Sequence, residues 1–559
     1  MPGQRLSTTR ERRWCRPLGS FVAGLLWTSI ACAQAAAKPL VFDLLAFNVQ
    51  GNTVLSAAEI ERAVYPFLGP DKSLADAEAA RAALERAYQS RGYLSVVVAL
   101  PPQTLQASEL TLEVVEAQVA QRRITGSQYH LPSQIAAQTP SLDPGTVPQF
   151  EQMQAELSRA QASGDVQITP VITPGDDARK LGVELKIQDS LPLHGQIELN
   201  SKQSFNTEQG RLEAGLRYDN LFQRQHSLGL NWIYSPAAPS EANTWVLSYA
   251  LPLGGDARVA PDRLSLSLVS SSSQTPSSLG GATVVRGESL GLRYRMPLRA
   301  ADPQLNHGWA LGLDWKNNRD SSRDAQGQTT PSAGLRYPVW SVAYDQMVQH
   351  SDSRSLRWDV GLALGFSGLG ARTVDCNGRS LDQFECKRAG ASPSFQILRG
   401  NLAWQGAVFG KWQASLQAQW QLAPHPLASG EQLGAGGVDS VRGYYEFEQV
   451  GDQGLILRSE LTTPAWRALD NAGLNGVVFV EGARLRVNEA LPAEQKNIQM
   501  ASAGLGLRVR GPRGLRARLD LAVPLQRTLK ADSSGSLVPA SGQASRNDQR
   551  WDFSVRYDF

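Results

Sequence analysis

Residues 411–422 read KWQASLQAQWQL, and their two parities separate cleanly. Trp412, Ala414, Leu416, Ala418, Trp420 and Leu422 form one set; Lys411, Gln413, Ser415, Gln417, Gln419 and Gln421 form the other. Successive side chains of a strand point to opposite faces, so this alternation predicts a strand with one apolar and one wet face. The tryptophans stand eight residues apart, which is about 26 Å along a strand and about 20 Å of depth at a tilt of ~40°. That is the separation of the aromatic girdles bounding the lipid-facing band of a transmembrane barrel. A half-buried strand of a soluble sandwich accounts for neither the girdle spacing nor the unbroken glutamine face.

The same period recurs from Leu191 to the C-terminus, where helical patterns vanish. Leu212, Ala214, Leu216 and Tyr218 oppose Arg211, Glu213 and Arg217; Leu264, Leu266 and Leu268 oppose Arg263, Ser265 and Ser267. Leu505, Leu507 and Val509 alternate with Gly506, Arg508 and Arg510, and Leu515, Ala517, Leu519 and Leu521 with Arg516, Arg518 and Asp520. Arginines and carboxylates on the second face are too many for a dry core and natural for a water-filled lumen. Roughly 370 residues at about 23 per strand and connection allow about sixteen strands. The chain ends on Trp551, Phe553, Val555, Tyr557 and Phe559, all of one parity.

Residues 41–189 follow other rules. Val41–Val49 alternates as a strand, and Gly51-Asn52 turns it. Ser56 and Glu59 form a capping box, each satisfying an amide that the helix start leaves orphaned, and Ser73-Leu-Ala-Asp76 opens a second helix. Ala77, Ala80, Leu84 and Tyr88 share one face of that helix, Gly92 ends it, and strands follow at Leu94–Leu100 and Leu110–Glu116. A more divergent copy of this β-α-α-β-β order runs from about Arg122 to Asp189, with a helix near Pro148–Ala162 and strands near Val166–Ile172 and Leu181–Ile187. An exposed sheet edge in such a unit can accept an extended peptide as an added strand, with little demand on its sequence.

At 559 residues the chain exceeds what one core usually organises. A net charge of +3 with 19% charged residues leaves no nucleic-acid footprint. Mean hydropathy is −0.28, and the one run apolar enough for a membrane-helix candidate is N-terminal. There Arg10, Arg12, Arg13 and Arg16 precede Phe21–Ala31, and small residues follow at Ala31-Cys-Ala33 and Ala33-Gln-Ala35. This predicts a secretory signal peptide over residues 1–35, cleaved near 33–37 and too short to span a bilayer. Ser29 stands where a lipoprotein would carry a large aliphatic residue, which argues against lipidation of Cys32. A polar exported protein without a membrane helix is periplasmic, secreted or an outer-membrane barrel. Cys15 and Cys32 fall in the signal, leaving Cys376 and Cys386, which in an oxidising compartment predict one disulfide stapling a loop. Two cysteines without neighbouring histidines make a poor metal site, and His130, His194, His226, His307, His350 and His425 have no ligand spacing. With no Gly-x-Ser-x-Gly elbow or phosphate-loop motif, neither catalysis nor a cofactor is expected.

Gly434-Ala-Gly-Gly-Val-Asp-Ser-Val-Arg-Gly-Tyr-Tyr445 sets three glycines within four residues, a composition that disfavours a regular strand and marks a loop passing close to something else. Val441, Arg442, Gly443 and Tyr444 then place one fixed cation at a glycine bend beside aromatic rings. The motif resembles the Val-Arg-Gly-Tyr loop of two-partner secretion transporters, the haemolysin activator and filamentous haemagglutinin transporter type of the POTRA-barrel superfamily. Gly51-Asn-Thr, Phe67-Leu-Gly69, Tyr88 to Gly92-Tyr93 and Leu110 through Glu116 are similar to that family's polypeptide-transport-associated (POTRA) domain. Tyr218-Asp-Asn-Leu-Phe222, Leu311-Gly-Leu-Asp-Trp-Lys316 and Leu519-Asp-Leu-Ala-Val-Pro-Leu525 resemble its barrel. Terminal Phe559, with Tyr557 two residues before it, resembles the assembly signal of outer-membrane barrels.

The resemblance covers Val41 to Phe559. It implies POTRA domain 1 over 41–118, POTRA domain 2 over 119–189, and an antiparallel barrel of about 16 strands over 191–559 with the lumenal loop 434–445. The implied protein sits in the outer membrane of a Gram-negative cell. Its periplasmic POTRA domains hold a large exoprotein, adhesin- or haemolysin-like, unfolded, and the barrel passes it to the surface without nucleotide hydrolysis. Outer-membrane lipid and, during biogenesis, the barrel-assembly machinery are the other implied partners. In the family the loop arginine meets the acid of a Phe-x-Asp-x-Gly strand motif. The matching stretch here is Phe479-Val-Glu-Gly-Ala483, so Glu481 replaces the aspartate and Ala483 the glycine, which keeps the charge and lengthens the reach. Arg442 is expected to hold Glu481 bidentately while stacking near Tyr444 or Tyr445. Many relatives begin with a helix that plugs the barrel; only a few residues separate the cleavage region from the first POTRA strand, so no plug helix is expected. The alternative is a barrel-assembly factor of the same superfamily, disfavoured because insertases usually carry more than two POTRA domains. A surface enzyme or small-solute porin would leave two periplasmic domains without a task.

Overall fold

The computed structural model describes residues 41–559 apart from 105–107, 206, 255–260, 277–281, 300–303, 324–328, 332–333, 352, 377, 470–471, 493 and 533. The expected signal peptide and the stretch where a plug helix would begin lie outside the described residues.

Two α/β units precede the barrel. The first comprises strands Phe42–Leu44 and Ala46–Gln50, helix Ala57–Val64, strand Gly69–Lys72, helix Leu74–Ser90, and strands Val96–Ala99 and Glu109–Glu116. Glu109–Glu116 is the middle strand of its main sheet, parallel to Ala46–Gln50 and antiparallel to Val96–Ala99. Glu59 and Asp76 each accept the amide N–H of the serine that opens their helix, and Ala77, Ala80, Leu84 and Tyr88 are fully buried. The second unit repeats the plan with strand Gln118–Thr125, helices Pro132–Gln138 and Phe150–Ala160, and strands Val166–Pro174 and Lys180–Asp189. Its last strand is again central, parallel to the first and antiparallel to the second. The helix Pro132–Gln138 is not legible in the sequence, because two turns with one buried side chain, Ile135, leave no period.

The repetition extends to the chemistry of the turn that follows Ala46–Gln50 in the first unit and Gln118–Thr125 in the second. Gly51 and Gly126 both take φ of +86°, and each faces a last-strand carbonyl, Val114 O and Ile187 O, so closely that a Cβ would collide. The acid ending each last strand then accepts amides of that turn. Glu116 takes those of Thr53 and Val54, and Asp189 takes those of Gln128, Tyr129 and His130.

Strands then close into an antiparallel barrel of 16, from Leu193–Asn200 and Arg211–Leu221 through Leu515–Pro524 to Arg550–Asp558. The last strand pairs back onto the first from Ser554↔Asn200 to Asp558↔Gln196. Leu216, Leu230, Leu247, Leu268, Leu290 and Trp315 are successive cross-strand neighbours around the wall, and all are exposed. In water so continuous an apolar belt would drive aggregation; in a bilayer it is the surface that lipid covers. Among the described residues no helix is long and apolar enough to cross a membrane. In the strand Gln413–Leu422 the expected parity holds: Leu416 and Leu422 are exposed on the outer wall, while Gln421 is buried inside, donating to Glu431 O and Asp452 O at 3.0 Å each.

Because the α/β units lead into Leu193, the turn 222–225 lies on their side of the barrel and the long segments 365–395, 423–452 and 525–549 on the other. That turn docks the second unit. Phe222, Gln223 and Gln225 adopt φ of 58–59°, unusual without glycine. Gln223 Nε2 donates to Tyr129 O at 3.0 Å, the Leu131 amide donates back to Gln223 Oε1 at 3.1 Å, and Gln225 Nε2 reaches Gln138 Oε1 at 3.1 Å.

Candidate functional site

The segment 423–452 starts on the far side of the membrane and folds back into the lumen. A short hairpin of Leu433–Ala435 with Gln449–Gly451 forms its stem. At its tip Gly436, Gly437 and Gly443 take φ of +108°, +98° and +90°, conformations that side chains disfavour. Gly443 also lies flat against Pro524, where a Cβ would sit 3.0 Å from Pro524 Cδ. These bends turn Val441, Arg442 and Tyr444 inward, each at most 1% exposed. Tyr444 Oη lies 2.7 Å from Gln526 O and 3.0 Å from Ala501 O and can donate its proton to either.

Arg442 is enclosed by the wall. On the strand Ala472–Arg486, Phe479, Glu481, Ala483 and Leu485 face inward and are buried, while Val478 and Val480 face outward. Glu481 Oε2 accepts the Arg442 backbone N–H at 2.7 Å, and Oε1 accepts Nε at 2.9 Å and Nη2 at 2.5 Å. The guanidinium reaches two further carboxylates: Nη2 donates to Glu460 Oε1 at 2.6 Å and Nη1 to Asp520 Oδ2 at 3.1 Å. Its flat face covers the Phe479 ring at 3.5 Å from the centroid. The stacking expectation is therefore corrected: Tyr444 is turned to backbone carbonyls, and Tyr445 lies under a different cation, Arg550, at 4.5 Å. Phe479 takes the position because Glu481 and Phe479 share one strand face two residues apart.

Arg458 and Arg508 extend the network. Arg458 Nε donates to Glu481 Oε1 at 3.0 Å, and its terminal nitrogens reach Asp439 O and Val438 O of the loop. Arg508 Nη1 donates to Asp520 Oδ1 at 2.5 Å. Sequence reasoning had Arg508 and Asp520 on the lumenal parity but gave no sign that they, or Glu460, converge on Arg442. That convergence depends on the registers of four neighbouring strands, Gln453–Thr462 through Leu515–Pro524.

Other ties hold the loop at its tip and its ends. Lys202 Nζ pairs with Asp439 at 3.0 Å. Glu448 accepts the Tyr445 amide at 2.7 Å and the Thr528 hydroxyl. Asp452, fully buried, takes both terminal nitrogens of Arg388 at 2.5 and 2.8 Å, the Leu427 amide at 3.0 Å and the Asn488 amide at 2.7 Å. Arg388 belongs to the segment 365–395, which also carries the Cys376–Cys386 disulfide, its Cα atoms 5.7 Å apart. Tyr337, Phe384, Phe395, Ile397 and Leu427 make an apolar core beneath it. At the other end, Phe559 and Gly195 exchange backbone hydrogen bonds of 2.9 and 2.8 Å, and the Phe559 ring fills the space a Cβ at Gly195 would need. Tyr557 stacks on Phe559 with ring centroids 6.0 Å apart.

A barrel closed around an arginine-anchored loop, with α/β units on one side, narrows the comparison. Residues 182–509 match the family described as haemolysin secretion/activation protein ShlB/FhaC/HecB. The chain belongs to this haemolysin secretion/activation family. Residues 42–117 match its POTRA domain of ShlB type, so the first α/β unit is a POTRA domain. The chain is 24% identical over 491 residues to the outer membrane transporter CdiB of Escherichia coli, covering 83% of this chain and 76% of that protein. Among solved structures, CdiB from Escherichia coli aligns with TM-score 0.66 at 18% identity, covering 94% of this chain and 92% of that one. CdiB from Acinetobacter baumannii aligns with TM-score 0.61 at 15% identity, covering 94% and 91%. BamA from Haemophilus ducreyi lacking POTRA domains 1–3 shares the fold at TM-score 0.54 and 13% identity, covering 93% and 100%. As a member of the haemolysin secretion/activation family, the protein is a two-partner secretion transporter of the outer membrane, with POTRA on the periplasmic side, and acts with a secreted exoprotein. The assembly-factor alternative is not favoured, since a common barrel fold is all that the BamA likeness carries.

Proposed function

We propose that the α/β units over 41–118 and 119–189 are two POTRA domains that hold the exoprotein unfolded, and that it crosses through the lumen of the 191–559 barrel once the loop 434–445 yields. The observation that carries this reading is the burial of Arg442 among Glu481, Glu460 and Asp520, which fixes the loop in the lumen by a contact that can be broken and remade without covalent change. The repeated turn chemistry of Gly51 with Glu116 and Gly126 with Asp189 supports counting the second unit as POTRA. Exposed edges in both sheets suit capture of an extended chain by added-strand pairing. The leucine and tryptophan belt suits outer-membrane lipid, and Tyr557 with Phe559 suits recognition by the barrel-assembly machinery. The reading uses no catalytic residue, cofactor or metal: strand pairing and refolding outside can drive export. Deleting residues 41–189 tests it, because capture and transport then occupy different parts of the chain. The deletion should leave an inserted, heat-modifiable barrel and abolish secretion. Normal secretion by the barrel alone in whole cells would overturn the capture role.

A further inference from the structure

Asp165, His194 and Asp219 are far apart in sequence and meet where the second α/β unit joins the barrel. Asp165 precedes the strand Val166–Pro174, His194 lies on the first barrel strand and Asp219 on the second. The fold brings His194 between the two acids: its Nε2 is 2.8 Å from Asp165 Oδ1 and 3.5 Å from Asp219 Oδ2. Proximity does not become hydrogen bonding, since Nε2 has no aligned partner, and neither has Asp165 Oδ2. The Asp165 side chain is only 3% exposed, and a buried carboxylate oxygen without a donor is costly to keep. One potential ligand atom from each of the three residues lies within 4.8 Å of the other two, so a single cation placed among them would touch all three.

We propose that Asp165, His194 and Asp219 bind one divalent transition-metal ion of zinc's class, strapping the second α/β unit to the barrel. One imidazole nitrogen with two carboxylate oxygens is a donor set that zinc accepts, and three protein ligands leave a fourth position for water. A hard ion such as magnesium prefers oxygen donors throughout, which the imidazole disfavours. Asp219 is already steered from outside the cluster: Arg217 Nε donates to its Oδ2 at 2.7 Å and Ser227 Oγ to its Oδ1 at 2.5 Å, the outer support that metal-binding carboxylates commonly have. The ion would give the unpartnered Nε2 of His194 a partner and link a residue of the periplasmic unit to two adjacent barrel strands. The site uses no residue of the lumenal loop, and its test does not depend on secretion.

The test is a titration of the untagged full-length protein in detergent, stripped with a chelator, with Zn²⁺ followed by isothermal titration calorimetry. One saturable site per chain is expected. His194→Gln, whose side chain is 39% exposed, should weaken binding more than ~10-fold, and Asp165→Asn likewise. His425→Ala, on the far side of the barrel, should leave binding as it is. No saturable one-to-one site, or equal binding by wild type and His194→Gln, would overturn the proposal.

Discussion

Glu481 holds Arg442 by both backbone and side chain. Its Oε2 takes the backbone N–H at 2.7 Å, and its Oε1 takes Nε and Nη2 at 2.9 and 2.5 Å. One carboxylate on the wall thus fixes where the loop runs and where its guanidinium points. Glu460, Asp520 and the Phe479 ring receive the rest of the group.

Arg442→Lys should therefore impair secretion nearly as much as Arg442→Ala. A lysine keeps the charge, but its single ammonium cannot span three carboxylates on three strands or lie flat on Phe479. Removing one member of a buried ion network costs about 3–5 kcal/mol, mostly through the charges left unpaired. The measurement is exoprotein in the culture supernatant, normalised to assembled barrel. Secretion by the lysine variant at more than about half the wild-type level would count against the fork geometry.

The disulfide should matter less than the ion pair beside it. Closing the short Cys376–Cys386 loop constrains the unfolded chain by at most ~3 kcal/mol, often less in practice. Replacing both cysteines by serine leaves Arg388 on Asp452, so secretion should barely change. Asp452→Ala removes the acceptor that joins segments 365–395, 423–452 and 487–496, and should speed protease cleavage of the surface segments in whole cells. Equal cleavage in the two variants would show that Asp452 does not anchor the surface segments.

How much of this was legible follows from where each residue's constraint lies. The barrel could be read because every strand has lipid on one side and the lumen on the other, so the constraint repeats every second residue. Glu481 could be read because Phe479-Val-Glu-Gly-Ala483 keeps the spacing of a known motif. Glu460 and Asp520 could not be tied to Arg442, since that relationship is written in the strand registers; Phe479 follows from Glu481 by strand parity alone. The apolar core of Tyr337, Phe384 and Phe395 was equally hidden: lumenal parity was expected to be wet, and the segment 365–395 makes part of it dry. His194 looked isolated because its neighbours come from other elements.

Gly195 and Phe559 should behave as one assembly element. Deleting Phe559 should lower the amount of barrel in the outer membrane. Gly195→Leu should do the same with the terminal residue intact, because its side chain would occupy the space of the Phe559 ring. Pulse-chase assembly followed by heat modifiability reads both. Unchanged rates for Gly195→Leu would mean that the ring's seat is incidental.

The most direct test of the account is a double-mutant cycle on secretion with Arg442→Ala and Glu481→Ala. At ~4 Å, two unit charges gain on the order of 4 kcal/mol at an effective dielectric of 20, less where water enters. Contacting residues of one network typically couple by about 0.5–3 kcal/mol. If Arg442 and Glu481 hold the loop together, each single change should cut secretion sharply and the double variant should secrete about as little as the worse single one. Effects that simply multiply, with no coupling beyond error, would contradict the account and pass the anchoring role to another lumenal acid.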